Sequence, residues 1–121
     1  MLSEGENRLM TQVGPGTPGG EMLRRYWWPI EFSAHVKNRP MKVRLLGEDF
    51  VLFRNLRGQV GMLDLHCPHR LTSLEYGRVE EQGIRCCYHA WLYAPDGRCL
   101  ETPTERPEST FKDRVRANAY E

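Results

Sequence analysis

Residues 67–91 read C-P-H-R-L-T-S-L-E-Y-G-R-V-E-E-Q-G-I-R-C-C-Y-H-A-W, and this stretch contains two cysteine–histidine pairs. Cys67 and His69 form a C-x-H pattern, and Cys86 and His89 form a C-x-x-H pattern after sixteen intervening residues. Each pattern offers one thiolate and one imidazole from a stretch rich in turn-forming residues. The sequence therefore predicts a metal centre held by two short loops.

Two cysteines and two histidines are the ligand set of a [2Fe–2S] cluster in which histidine replaces cysteine on one iron. Because a neutral imidazole carries less negative charge than a thiolate, the reduction potential rises to about −150 to +300 mV, against about −400 mV for plant-type ferredoxins. The histidine-bound iron is expected to take the electron, and His69 and His89 are the expected exit to a partner. The ligand set thus predicts a one-electron carrier.

Structural zinc is the nearest alternative, because zinc also accepts two cysteines and two histidines in a tetrahedral site. Zinc fingers, however, pair like ligands locally, as C-x₂₋₄-C followed by H-x₃₋₅-H. In this chain each loop mixes one cysteine with one histidine. The pairing favours an iron–sulfur cluster, and a zinc-stabilised interaction module without a redox role stays as an alternative.

The composition predicts one globular unit with no special affinity for nucleic acids or membranes. The 121 residues carry a formal net charge of +1 and 27% charged residues, which gives no basic surface for nucleic acid. No run of residues reaches the length of a transmembrane helix, and residues 1–8 lack the apolar core of a signal peptide. The two cysteines outside the pairs, Cys87 and Cys99, are therefore expected as free thiols in a cytoplasmic protein.

Short strands separated by turns predict an antiparallel β-sandwich or small barrel with two cluster-binding loops and a short N-terminal helix. Strands are expected at residues 40–46, 50–56, 60–65, 83–87, 90–93, 98–101 and 111–120, with turns at 47–49, 55–58 and 95–97. Residues 1–30 are expected to form an N-terminal loop and a short helix at about residues 21–26, and residues 31–121 the cluster-binding domain. The G-x-G-x-x-G at residues 14–19 is interpreted as a loop, because no strand precedes it.

Five stretches of the chain resemble ring-hydroxylating oxygenases, and in particular phthalate-dioxygenase-type oxygenase components. C-P-H-R-L-T-S-L-E-Y-G (67–77), G-I-R-C-C-Y-H-A-W (83–91) and D-G-R-C-L-E-T-P (96–103) resemble the Rieske domain of that family, and G-P-G-T-P-G-G-E-M-L-R-R-Y-W-W-P-I (14–30) and V-R-L-L-G-E-D-F-V-L-F-R (43–54) its N-terminal region. The resemblance implies that Cys67 and Cys86 bind one iron and that His69 and His89 bind the other. It also implies a reductase or ferredoxin as electron donor, an oxygenase catalytic domain or subunit as acceptor, and oligomerisation of the full protein.

Several positions depart from related patterns. Ala90 stands where the family usually has glycine after the second histidine, and Leu71 stands where the first histidine is commonly followed by Arg-Gly. Thr72 and Tyr88 occupy the positions of the disulfide-forming cysteines of respiratory and photosynthetic Rieske proteins, and Ala90 replaces a serine that helps to raise their potential. The comparison implies a disulfide-free centre of low potential.

Oxygen activation in this family requires a second iron on two histidines and a carboxylate. Besides His69 and His89, the chain has only two histidines, His35 and His66. It has no D/E-x-x-H-x₄₋₅-H run. No catalytic residue is therefore predicted, and His66 is not expected to be a ligand because it is adjacent to Cys67. A stand-alone Rieske-type ferredoxin, shuttling electrons from a reductase to an oxygenase, is the second interpretation, although residues 24–28 favour the oxygenase domain.

Overall fold

The computed structural model describes all 121 residues and consists of two antiparallel sheets with a few short helices. The helices are α1 (Glu4–Thr11) and α2 (Pro18–Leu23), and the strands are β1 (Met41–Leu45), β2 (Glu48–Arg54), β3 (Val60–Asp64), β4 (Arg78–Val79), β5 (Ile84–Arg85), β6 (Leu92–Tyr93), β7 (Cys99–Glu101) and β8 (Ala119–Tyr120). One sheet has the order β1-β2-β3-β8 and the other the order β4-β5-β6-β7. The predicted fold class, mostly β with antiparallel sheets and a short N-terminal helix, is confirmed.

The turn between β1 and β2 comes one residue earlier than its predicted start at residue 47. Leu45 pairs with Glu48, and the two residues between them, Leu46 and Gly47, have φ angles of 47° and 82°. Two positive φ angles in a two-residue loop define the tight turn whose twist suits a β-hairpin. Glu48 and Asp49 consequently belong to β2 and not to the turn.

The predicted strand at residues 111–120 is wrong over most of its length. Phe111–Arg114 form a short 3₁₀ helix, and only Ala119–Tyr120 form a strand, β8, which pairs with β3. Strands β5 and β6 are shorter than predicted, because residues 86–91 between them fold into a loop. The predicted helix at residues 21–26 is α2 and begins earlier, since the side chain of Thr17 accepts a hydrogen bond from the backbone N–H of Gly20.

Helix α1 is not among the predicted elements, although its local signal is present in the sequence. Ser3 and Glu6 form a reciprocal capping box at its first turn. No residue of α1 is buried, so the helix lacks the apolar face that would mark it in a sequence. No helix of the chain is both long enough and apolar enough to cross a membrane.

The main core contains the bases of both predicted ligand loops. Its thirteen buried residues are Val51, Phe53, Leu63, Leu65, Cys67, Leu74, Val79, Ile84, Cys86, Trp91, Tyr93, Cys99 and Ala117. A second core on the other face of the first sheet is formed by Val36, Phe50, Leu52 and Met62. Successive side chains of β2 enter the two cores alternately, as expected for a strand buried on both faces. This packing fixes the two cysteines in the interior.

Candidate metal centre

Two loops carry the four predicted ligands, and the same pattern of two backbone hydrogen bonds closes each loop. We call residues 67–72 loop one and residues 86–91 loop two. In each loop the N–H of the first residue donates to the carbonyl of the sixth, and the N–H of the fifth donates to the carbonyl of the first. The four bonds are Cys67 N to Thr72 O (2.9 Å), Leu71 N to Cys67 O (2.8 Å), Cys86 N to Trp91 O (2.9 Å) and Ala90 N to Cys86 O (3.1 Å). Each cysteine thus lies at the base of its loop.

The fifth residue of each loop has a left-handed backbone. Leu71 has a φ angle of 57° and Ala90 a φ angle of 59°. This conformation costs a residue with a side chain about 1–2 kcal/mol, and glycine avoids the cost. Both residues occupy positions where the family that the chain resembles usually has glycine. The departures therefore keep the turn that glycine would make and add backbone strain to both loops.

The four donor side chains form two pairs. The Cys67 and Cys86 side chains are buried, and burial raises the pKa of the Cys86 thiol, with the adjacent Cys67 thiol acting in the same direction. The rings of His69 and His89 have centroids 4.5 Å apart with planes at 66°, and both side chains are half-buried.

This paired arrangement fits a cluster of two irons better than a single metal ion. No three His, Cys, Asp or Glu side chains of the chain form a group that could hold one ion. A tetrahedral zinc ion would need all four donors around one point, whereas a Rieske cluster takes two cysteines on one iron and two histidines on the other. The residues present therefore fit a [2Fe–2S] cluster.

The cysteine sulfurs have polar neighbours in loop two and in β6. The backbone N–H groups of Tyr88 and His89 lower the pKa of the Cys86 thiol and so partly oppose the effect of burial. The hydroxyl oxygen of Tyr93 lies 3.3 Å from the Sγ atom of Cys67, and both side chains are buried. A thiolate ligand has no proton, so the Tyr93 hydroxyl is the donor when Cys67 binds metal. Tyr93 lies in a predicted strand, but its partner is set by tertiary packing and could not be identified from the sequence.

An aromatic ring packs against each of the two histidines. The indole of Trp91 stacks on the imidazole of His69 with centroids 4.1 Å apart and planes within 5° of parallel, and its Nε1 atom donates to Thr104 Oγ1 at 3.2 Å. The ring of Tyr88 lies 3.8 Å from the ring of His89. Burial lowers the pKa of the His69 imidazole, with nearby positive charges acting in the same direction. A lowered pKa keeps the imidazole neutral, as a metal ligand must be.

The other cysteines and histidines are not part of the two donor pairs, although Cys99 lies in the same core as Cys67 and Cys86. Cys87 is exposed, and Cys99 is buried, which raises the pKa of its thiol to about 11. His66 is exposed and forms an isolated bridge with Ser73. His35 is exposed and contacts Glu31 at 2.9 Å.

The family model of the Rieske [2Fe–2S] domain matches residues 26–116. The chain therefore belongs to the Rieske [2Fe–2S] domain family, and its cofactor is a Rieske-type [2Fe–2S] cluster. The matched range contains both loops and seven of the eight strands, since only β8 lies beyond residue 116.

The relatives of this chain include several oxygenase subunits. The 5,5'-dehydrodivanillate O-demethylase oxygenase subunit of Sphingobium sp. (strain NBRC 103272 / SYK-6) is 46% identical over 99% of this chain and 29% of its own length. The phenoxybenzoate dioxygenase subunit alpha of Ectopseudomonas oleovorans is 59% identical over 85% of this chain and 25% of its own length. The phthalate 4,5-dioxygenase oxygenase subunit of Pseudomonas putida is 42% identical over 99% of this chain and 28% of its own length. The predicted resemblance to oxygenase components is confirmed.

A solved structure supports the same fold. NdmA of Pseudomonas putida CBB5 superposes with a TM-score of 0.75 at 26% identity, over 84% of this chain and 32% of that chain. The chain thus spans less than a third of the length of these relatives.

Proposed function

We propose that this chain is the electron-transfer domain of an aromatic ring-hydroxylating oxygenase with a Rieske cluster and a non-haem iron. In this proposal Cys67 and Cys86 bind one iron of the cluster, and His69 and His89 bind the other. The observation that carries the proposal is the pairing of the donors, two buried thiols together and two half-buried imidazoles together. When bound, the cluster supplies reversible one-electron transfer.

The protein surroundings give the two ends of the site different tasks. The cysteines lie in the core, where the Tyr93 hydroxyl lies 3.3 Å from Cys67 Sγ and the backbone N–H groups of Tyr88 and His89 lower the pKa of the Cys86 thiol. The imidazoles of His69 and His89 reach the surface beside the exposed side chains of Arg70 and Tyr88. We therefore assign the electron exit to the histidine end, where an acceptor can approach the cluster.

The partners follow from the relatives. A reductase or ferredoxin is the proposed donor, and an oxygenase catalytic domain or subunit, acting on an aromatic compound, is the proposed acceptor, in an oligomer. The match to oxygenase subunits extends over 99% of the chain and so includes most of residues 1–30, which favours the oxygenase domain over a stand-alone ferredoxin. The division into residues 1–30 and 31–121, the low potential and the cytoplasmic location stay predictions.

Single substitutions of the cysteines and histidines test the ligand assignment. C67S and C86S are expected to abolish the visible absorbance of the cluster, and iron and acid-labile sulfide analysis should find two of each in the unsubstituted protein. His89→Cys is expected to lower the reduction potential towards the value of plant-type ferredoxins, about −400 mV, because a third thiolate adds negative charge.

The remaining cysteines and histidines provide matched controls. C87S and H66A should retain the cluster, since both side chains are exposed and neither belongs to the donor pairs. C99S should also retain it, because Cys99, although buried in the same core as Cys67 and Cys86, is not one of the paired donors. A colourless protein that contains zinc, or loss of the cluster in folded H66A, would contradict the proposal.

A further inference from the structure

The guanidinium of Arg85 contacts loop two from the side of the sheet. Arg85 is the last residue of β5 and directly precedes Cys86. Its Nη1 atom donates to the carbonyl oxygen of Ala90 at 2.6 Å. Only 15% of the Arg85 side chain is exposed, so this hydrogen bond is largely shielded from water. Arg85 thus joins the strand before loop two to the left-handed residue near the end of that loop.

Two carboxylates fix the orientation of the guanidinium. Glu80, in the turn after β4, accepts from Arg85 Nε and Nη2, both at 2.8 Å. Glu101, at the end of β7, accepts from Nη2 at 2.7 Å. A planar guanidinium can make all of these bonds at once, and a lysine ammonium cannot reproduce them because it is a point charge. The contact with Ala90 is therefore directed by one carboxylate that follows β4 and one at the end of β7.

The contacted carbonyl belongs to a strained residue. Ala90 has a φ angle of 59°, and its N–H donates to the carbonyl of Cys86. The hydrogen bond from Arg85 to the Ala90 carbonyl offsets this strain, because it holds the carbonyl group while the N–H group is held by Cys86. Loop one has no counterpart, because no side chain donates to the carbonyl of Leu71.

We infer that Arg85 is a positioning residue for the cluster, because its guanidinium holds the Ala90 carbonyl and so keeps Cys86 and His89 directed at the irons. This role rests on the proposed ligand set. It is separate from the general support that any buried ion pair gives, since it acts on one loop and through one carbonyl.

Arg85→Lys tests the role, because it keeps the positive charge and loses the fork of hydrogen bonds. In the cluster-loaded protein, R85K is expected to lose cluster absorbance to a chelator about tenfold faster, as for the loss of one charge-assisted hydrogen bond. The EPR spectrum of the reduced protein should broaden or shift, because the His89 imidazole is less well fixed. R78K is the matched control, since Arg78 also donates to Glu80 at 2.6 Å but does not contact loop two.

A rescue experiment separates positioning from general stability. Ala90→Gly removes the strain that Arg85 offsets, so R85K/A90G should recover most of the lost cluster lifetime and the original EPR spectrum. Leu71→Gly relieves the same strain in loop one and should not rescue R85K. Glu101→Gln, which loosens the guanidinium without removing it, should give a smaller change in the same direction even where R85K fails to fold.

Two results would overturn the inference. One is an R85K protein with the cluster lifetime and EPR spectrum of the unsubstituted protein. The other is equal rescue by A90G and L71G, which would mean that Arg85 only adds general stability. Failure of the proposed function would be detected by a different measurement, because the unsubstituted protein would then lack a Rieske spectrum.

Discussion

The hydroxyl of Tyr93 lies 3.3 Å from the Sγ atom of Cys67, and neither side chain is accessible to solvent to any useful extent. A hydrogen bond to a ligand sulfur is stronger when the cluster is reduced, because reduction adds negative charge to the sulfurs. Tyr93→Phe should therefore lower the midpoint potential. A difference in hydrogen-bond strength of about 1 kcal/mol corresponds to roughly 40 mV for a one-electron couple. Potentiometric titration followed by visible absorbance measures the shift.

Tyr76→Phe is the control for this measurement, because Tyr76 is exposed and its hydroxyl makes no hydrogen bond within the chain. Its midpoint should equal that of the unsubstituted protein. A Y93F protein with an unchanged midpoint would show that the buried hydroxyl does not act on the cluster.

The left-handed Leu71 predicts a substitution that stabilises the protein. The Leu71 side chain is 72% exposed, so its removal sacrifices little packing, and glycine relieves strain of about 1–2 kcal/mol. Glycine also costs roughly 0.5–1 kcal/mol in the entropy of the unfolded chain. L71G should therefore raise the free energy of unfolding by about 0.5–1 kcal/mol, as measured by denaturant titration. L71A keeps the left-handed strain and should leave the stability unchanged; a gain in L71A as large as that in L71G would contradict the strain argument.

The ligand pairs could be recognised in the sequence because their spacing is local. C-x-H and C-x-x-H each lie within one loop, so four residue types at short distances identify the chemistry. Leu71 and Ala90 can also be recognised in the sequence as departures from glycine. Their left-handed backbone follows from the hydrogen bonds that close each loop. No pattern of residues in the sequence predicts these bonds.

The contacts that surround the ligands could not be predicted, because they join residues distant in sequence. Tyr93 meets Cys67 across 26 positions, and Glu101 meets Arg85 across 16. The prediction of a strand at residues 111–120 was wrong for a related reason. Only Ala119–Tyr120 reach the edge of β3, and residues before them form a 3₁₀ helix instead of a continuous ladder. Sequence patterns indicate which residues are apolar, but not how far a partner strand extends.

Glu80 predicts a pH dependence of stability. Hydrogen bonds from Arg85, with a smaller contribution from Arg78, lower the pKa of its carboxyl from 4.5 to about 2. A carboxyl whose pKa is lower in the folded state stabilises the protein above its unfolded pKa, and this stabilisation is lost as the pH falls towards the folded pKa. The free energy of unfolding should therefore fall between about pH 4.5 and pH 2 more steeply in the unsubstituted protein than in E80Q.

Urea titrations followed by tryptophan fluorescence at a series of pH values test this dependence. At neutral pH the E80Q protein should be less stable by at most about 3 kcal/mol. Glu81→Gln is the matched control, because the Glu81 side chain is 73% exposed and contacts only Arg57, at 3.5 Å. Parallel pH profiles for the unsubstituted protein and E80Q would exclude Glu80 as the source.

Trp91 predicts a link between core packing and cluster retention. Its indole is 1% exposed, stacks flat on His69 and donates to Thr104. Trp91→Phe leaves a smaller ring without the N–H donor, which should lower the free energy of unfolding by about 2 kcal/mol. Thr104→Val removes only the hydrogen bond and should cost about 1 kcal/mol. If the stacked ring holds the imidazole at the cluster, W91F should also lose cluster absorbance faster than T104V. Trp27→Phe, at a residue that is 82% exposed, should change neither quantity, and equal rates of cluster loss in W91F and W27F would contradict this role of the stacked ring.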